Sequence, residues 1–262
     1  MNGLLYLAAG PGPHPVVVFL HGFPGNERNQ DLAQAVRRAG YQALYFDYRG
    51  SWASAGTFSF AHGLEDLAAV LAWVREPQNA AKYRLDPTKI ALVGHSYGGW
   101  VSLMGAGHEP TNVGVAALAA WNVGWSGNRF AEHADERKET LDDFRQTTDP
   151  AGGPIRANPD ELLKEMTKHA AAWDYMTQAS NLKGHPVLLV AASHDSPDGG
   201  VEQHTKLAKA IEAAGGKQVN VTTFEDDHSF STNRIALADA LIKWLREDCF
   251  KAQPAPPAAG AR

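Results

Sequence analysis

The segment that most constrains this chain is residues 90–106, which predicts a strand, a sharp turn and a helix in immediate succession. The apolar run Ile90 to Val93 is followed by the glycine-rich sequence GHSYGG and then by small and apolar residues typical of a helix. Gly94 and Gly98 flank Ser96 at two residues on either side, which lets the backbone turn tightly. We therefore expect Ser96 at the tip of a strained turn, where the free N–H groups and dipole of the following helix favour negative charge.

The rest of the chain alternates strand-like and helix-like segments. Residues 15–20 are almost wholly apolar and β-branched, which is typical of a strand buried on both faces of a parallel sheet. Apolar residues recur at helical spacing in residues 27–39 and 64–74. This alternation predicts an α/β fold with a doubly wound, mostly parallel sheet. Strands are predicted at residues 3–8, 15–20, 41–47, 90–93, 113–120, 185–192 and 218–224, with a turn at Asp86-Pro87.

One internal segment departs from this alternation. Residues 121–183 are polar, charged and helix-prone, and they contain no run typical of a buried strand. We interpret them as a small helical cap inserted into an α/β core formed by residues 1–120 and 184–251; the alternative is a long connection with surface helices. Residues 252–262 are rich in proline and alanine, which predicts a disordered tail.

Composition excludes several classes of protein. A length of 262 residues fits one domain with an insertion. The net charge of −5 and the absence of a basic cluster argue against nucleic acid as a partner. Cys249 is the only cysteine, which excludes an intramolecular disulfide. No apolar run approaches the ~18 residues that span a bilayer, and no signal peptide is visible, so a soluble, cytoplasmic protein is favoured. The oligomeric state is left open.

Three chemically distinct side chains follow three predicted strands. Ser96 follows one strand, Asp195 a later one and His228 the last, so all three are expected at the carboxyl edge of the sheet. A serine hydroxyl needs a neutral imidazole to take its proton, and that imidazole needs an ionised carboxylate to hold its tautomer. We predict these residues as nucleophile, acid and base of a catalytic triad. Alternative acids are Asp198, Asp226 and Asp227.

The turn after strand 15–20 has the composition expected for an oxyanion hole. The sequence HGFPG at residues 21–25 contains two glycines that allow close backbone approach. A tetrahedral intermediate needs two N–H donors, and the backbone amides of Phe23 and Tyr97 suit these roles. Pro24 has no N–H and is excluded. The alternative is an ordinary turn between a strand and a helix.

Four motifs together resemble the α/β-hydrolase superfamily: GHSYGG, the upstream HGFPG, ASHD at residues 192–195 and DDHSF at residues 226–230. In this context GHSYGG resembles a nucleophile elbow. The loop beginning Tyr48-Arg49-Gly50 resembles that of esterases related to prolyl oligopeptidase and dienelactone hydrolase-like enzymes. The resemblance covers residues 5–250 and implies no cofactor and no metal. Independently, His194-Asp195 and Asp227-His228 lack further ligands at suitable spacing, which argues against a metal site.

The resemblance implies a serine carboxylesterase acting on small to medium esters through an acyl-enzyme. An aminopeptidase or amidase of the same fold is an alternative, although no acidic pair on a cap helix is evident to bind a substrate amine. A catalytically silent ligand-binding module is a second alternative. Trp121, Trp125 and Phe130 stand where strand 113–120 meets the cap, and they line either the substrate pocket or the core of the cap itself.

Overall fold

A seven-stranded sheet forms the centre of the computed structural model, which describes residues 1–109, 111, 113–149 and 153–251. The strands lie in the order β1-β3-β2-β4-β5-β6-β7, and all neighbours are parallel except β1, which pairs antiparallel with β3 at one edge. The doubly wound, mostly parallel α/β sheet is as predicted. The strands are β1 (Gly3–Tyr6), β2 (His14–Leu20), β3 (Gln42–Phe46), β4 (Leu85–His95), β5 (Gly114–Leu118), β6 (Val187–Ala192) and β7 (Val219–Phe224).

Helices cover both faces of this sheet. They are α1 (Gln30–Arg38), α2 (Phe60–Arg75), α3 (Pro77–Tyr83), α4 (Tyr97–Ala106), α5 (Val123–Arg129), α6 (Ala134–Thr147), α7 (Pro159–Trp173), α8 (Ala179–Leu182), α9 (Val201–Ala213) and α10 (Arg234–Trp244), with a 3₁₀ turn at Tyr175–Gln178 and a π turn at Leu245–Cys249. The predicted tail, residues 252–262, lies outside the described residues.

Strand β2 shows why the centre of the sheet is buried on both sides. Val16, Val18 and Leu20 belong to the core beneath α2 and α4. Val17 and Phe19 belong to the opposite core, beneath α1 and α10. Successive side chains of a strand point to opposite faces, so a wholly apolar run supplies both cores at once.

Two local elements differ from the sequence prediction. The central strand begins at Leu85 rather than near residue 90, and its pairing with β2 shifts register between Pro15 and Val16. The predicted turn at Asp86-Pro87 is therefore an irregularity within β4. Pro87 has no backbone N–H and cannot donate a hydrogen bond to a neighbouring strand. Helix α3 was not predicted, because none of its residues is buried and it has no apolar stripe.

Residues 121–183 contain α5 to α8 and lie between β5 and β6 in the chain. Helix α7 buries Leu162, Leu163 and Met166 in the core beneath α2 and α4. Its Glu165 carboxylate accepts hydrogen bonds from the N–H groups of Phe60 (2.9 Å) and Ala61 (3.1 Å). These are among the first N–H groups of α2, which have no partner inside their own helix. The carboxylate thereby joins α7 to the start of α2.

Candidate active site

Ser96 lies at the junction between β4 and α4 in a strained conformation. Its φ of 56° and ψ of −121° are unusual for a residue with a side chain. The turn is possible because its neighbours are glycines: a Cβ at Gly94 would overlap the Gly98 carbonyl, and a Cβ at Gly98 would overlap the Leu20 carbonyl. The Ser96 N–H donates to the Leu118 carbonyl at 2.9 Å, which fixes the turn to β5.

The structure brings His228 and Asp195 together from the loops after β7 and β6. The Nδ1 atom of His228 lies 2.9 Å from each carboxylate oxygen of Asp195. The Asp195 side chain is 3% exposed, whereas that of His228 is 40% exposed and lines a cavity with Ser96. Because a carboxylate only accepts, Nδ1 carries the proton and Nε2 is left as the basic nitrogen.

The alternative acids have other partners. Asp198 accepts hydrogen bonds from the hydroxyls of Ser126 (2.9 Å) and Ser196 (2.5 Å). Asp226 and Asp227 accept hydrogen bonds from backbone N–H groups at residues 227–233 and so stabilise the loop that carries His228. Of the four acidic residues considered, Asp195 is the one hydrogen-bonded to the His228 ring.

His95, the residue before Ser96, supports the position of His228. Its Nε2 donates to the His228 carbonyl at 2.8 Å, and the two rings lie 4.7 Å apart. His95 is 4% exposed, and its burial, together with the nearby His228, lowers its pKa to about 3. Because the neutral ring carries its proton on Nε2, Nδ1 can only accept a hydrogen bond. Among the described residues, Nδ1 has no hydrogen-bond partner.

The residues predicted for the oxyanion hole lie beside Ser96. Gly22 packs so closely on it that an added Cβ would lie 3.0 Å from the Ser96 Cβ, and Phe23 follows directly. Tyr97 is the first residue of α4, so its N–H has no acceptor within the helix. His21 orders the loop: its Nδ1 donates to the Gly22 carbonyl at 2.7 Å.

Ser96, Asp195 and His228 line one cavity of about 380 Å³, and helix α6 forms one of its walls. Glu139, Thr140, Asp143 and Phe144 of that helix line it. Glu139 and Asp143 are four residues apart, and so are Thr140 and Phe144, which places all four side chains on one face of the helix. Sequence reasoning missed all four. The spacing was visible in the sequence, but nothing in it indicated which face of α6 turns toward the site.

The three aromatic residues predicted near the site have different surroundings. Trp121 lines the cavity, and its indole N–H donates to the Ser126 hydroxyl at 2.9 Å. Phe130 is 6% exposed and belongs to the core beneath α2 and α4. The guanidinium of Arg129 lies 4.7 Å from the centre of the Trp125 ring. Of the three, Trp121 is the one that the described structure places on the cavity wall.

No group of three or more His, Cys, Asp and Glu side chains among the described residues is arranged to hold a metal ion. In that same part of the chain, none of the helices combines the length and apolar character needed to cross a bilayer.

Two histidines behind the site are buried, and we therefore expect the free energy of unfolding to fall on mild acidification. Burial lowers the pKa of His21 to about 4 and that of His95 to about 3, so both are neutral when folded. The unfolded chain takes up protons below about 6.5, so the free energy of unfolding falls as pH drops from there toward the folded pKa values. We expect about 2 kcal/mol lost per histidine between pH 7 and pH 5.

Denaturant unfolding at pH 7, 6 and 5 measures this effect. In His95→Gln, whose amide can still donate to the His228 carbonyl, the loss between pH 7 and pH 5 is expected to shrink by about 2 kcal/mol. His194→Gln removes an exposed histidine nearby and is expected to leave the pH dependence unchanged. Equal pH dependence in the parent and His95→Gln would contradict the prediction.

A family model for the alpha/beta hydrolase family matches residues 17–240. The chain therefore belongs to the alpha/beta hydrolase family, as its motifs indicated, and its class is that of a hydrolase. Among curated protein sequences, none shows significant similarity to the chain.

Solved structures share the fold at low sequence identity. Est1E from Butyrivibrio proteoclasticus with bound ferulic acid is 16% identical over 95% of this chain and 96% of its own, with a TM-score of 0.67. An esterase of Pyrococcus furiosus is 15% identical over 91% of this chain and 83% of its own, with a TM-score of 0.63. The esterase domain of a Rhodothermus marinus protein is 21% identical over 94% of this chain and 92% of its own, with a TM-score of 0.60.

Proposed function

We propose that this hydrolase is a serine carboxylesterase that acts on small to medium esters with Ser96, His228 and Asp195 as its triad. The observation that carries the proposal is the His228 ring, held by Nδ1 at 2.9 Å from both Asp195 oxygens in the cavity that contains Ser96. That arrangement leaves a neutral imidazole nitrogen as the base for the serine hydroxyl, as acyl transfer requires.

In the acylation half-reaction, His228 Nε2 takes the Ser96 proton as Oγ attacks the ester carbonyl. The backbone N–H groups of Phe23 and Tyr97 donate to the oxyanion of the tetrahedral intermediate. Asp195 stabilises the imidazolium, which then gives its proton to the departing alkoxide as the C–O bond breaks. Water deprotonated by His228 attacks the acyl-enzyme next, and the acid is released with Ser96 restored.

An amidase or aminopeptidase of the same fold is a second candidate that one observation favours. Glu139 and Asp143 lie one turn apart on α6 and line the cavity, so the acidic pair not evident in the sequence is present. Such a pair is suited to a protonated amine on the substrate. The leaving group then decides between the two candidates, because an amine leaves less readily than an alkoxide and needs stronger protonation.

A p-nitrophenyl ester series from acetate to palmitate, assayed beside an aminoacyl p-nitroanilide, tests the proposal. We expect turnover of the short and medium esters and a steep decline for the longest, because a cavity of about 380 Å³ does not enclose a long acyl chain. A fluorophosphonate probe is expected to label Ser96. Preference for the anilide would transfer the protein to the amidase class, and an unlabelled Ser96 without turnover would indicate a silent binding module.

A further inference from the structure

The lining of the catalytic cavity is strongly acidic. Among the described residues that form it, the carboxylates are Glu139, Asp143, Asp195 and Asp198, and none of these lining residues is Lys or Arg. Two of the four are already engaged: Asp195 holds His228, and Asp198 accepts hydrogen bonds from two serine hydroxyls. Glu139 and Asp143 therefore remain for the substrate.

Three basic residues on or near α6 pair with other acids. Lys138 lies 2.7 Å from Asp142, and Arg145 lies 3.3 Å from the same carboxylate. Arg129 donates through Nε to Glu136 at 2.8 Å. In the described part of the chain, no ion pair joins these cations to Glu139 or Asp143. Asp143 is an exposed position, but partial burial of its carboxyl group raises its pKa, and no neighbouring cation offsets that effect.

Aromatic rings form much of the remaining wall. Phe23, Trp121 and Phe144 line the same cavity, and the rings of Phe23 and Phe144 lie 5.2 Å apart in an edge-to-face arrangement. The faces of aromatic rings attract cations, including quaternary ammonium groups. Carboxylates beside aromatic rings thus make this wall complementary to positive charge.

A mostly buried polar side chain also borders this cavity. Ser96 is 7% exposed yet lines the cavity, so its small exposed part faces the space that Glu139 and Asp143 border. The acidic wall and the candidate nucleophile thus border the same space. Glu139 and Asp143 are one turn apart, a spacing at which two side chains flank a single group.

We propose that the substrate is an ester whose acyl part ends in a positively charged ammonium group, which Glu139 and Asp143 bind against the aromatic wall. This inference rests on the proposed esterase function and adds the substrate class. Neither residue takes part in bond making or breaking. They are specificity-determining residues, and their effect falls on substrate binding.

Two esters of the same shape test the inference. One is the p-nitrophenyl ester of γ-(trimethylammonio)butyric acid, and the other is its neutral isostere, in which a tert-butyl group replaces the trimethylammonium group. We expect kcat/KM for the cationic ester to be at least about tenfold higher, a difference of ~1.4 kcal/mol, expressed through KM. This ratio is expected to shrink as salt screens the carboxylates.

In the double variant Glu139→Gln, Asp143→Asn, we expect the ratio of kcat/KM for the cationic ester to kcat/KM for the neutral ester to fall to about one. The control, Glu136→Gln with Asp142→Asn, makes the same change of net charge on α6 away from the cavity lining and is expected to retain the ratio. A merely structural role for α6 would slow both esters together and leave the ratio intact.

The outcomes separate this inference from the proposed function. Hydrolysis of both esters with a ratio near one in the parent, or a ratio that survives the double variant, overturns the ammonium-binding role and leaves the esterase intact. Failure to hydrolyse either ester, with Ser96 unlabelled by a fluorophosphonate, overturns the proposed function and the inference with it.

Discussion

Replacing Ser96 with alanine is expected to lower kcat/KM for a short p-nitrophenyl ester by about 10⁴-fold or more. The reason is that no acyl-enzyme forms without the hydroxyl, and the remaining groups only bind the substrate and polarise its carbonyl. Activity measured with the purified variant, alongside fluorophosphonate labelling of parent and variant, checks both the rate and the covalent step.

Ser102→Ala is the matched control for this variant. Ser102 is also buried. It lies on α4, and its hydroxyl donates to the Gly98 carbonyl of the same helix at 2.8 Å. We expect it to keep most of the activity. If kcat/KM of Ser96→Ala were within about tenfold of the parent value, the nucleophile would be a residue other than Ser96. Thermal unfolding of each variant shows whether a loss of activity reflects a loss of structure.

Replacing Asp195 with asparagine is expected to lower kcat by about 10⁴-fold. The carboxylate accepts from Nδ1, whereas the amide NH₂ of asparagine donates to it. The His228 ring would then carry its proton on Nε2 and could no longer deprotonate Ser96. Because the shape of the side chain is retained, KM is expected to change much less than kcat.

Asp198→Asn tests the alternative acid. Asp198 lines the same cavity, but its partners are the Ser126 and Ser196 hydroxyls. We expect a much smaller fall in kcat than for Asp195→Asn. The reverse order of effects would mean that the carboxylate paired with His228 in the working enzyme is Asp198.

Sequence patterns predicted the parts of this molecule in which local chemistry and fold demand the same residues. Gly94 and Gly98 are required by close backbone contacts, and β2 is apolar throughout because it supplies two cores. The candidate triad could be predicted for a related reason. Each member follows a parallel strand, and all such strands end at one edge of the sheet.

Other features depend on tertiary contacts that no local pattern encodes. Helix α6 has a single buried residue, Phe144, which packs on Phe23 and Phe60. That contact, rather than a stripe of apolar residues, turns Glu139 and Asp143 toward the cavity. The same difficulty applies to Phe130, since an aromatic residue at such a junction suits either a pocket or a core.

The placement of α6 has a consequence for how such an enzyme changes over generations. Glu139 and Asp143 are exposed positions on a helix whose one buried residue is Phe144. Substitutions at exposed positions usually alter the free energy of unfolding by no more than ~0.5 kcal/mol. The surface that we propose to select the substrate can therefore change by mutation while the sheet, the turn at Ser96 and the core stay as they are.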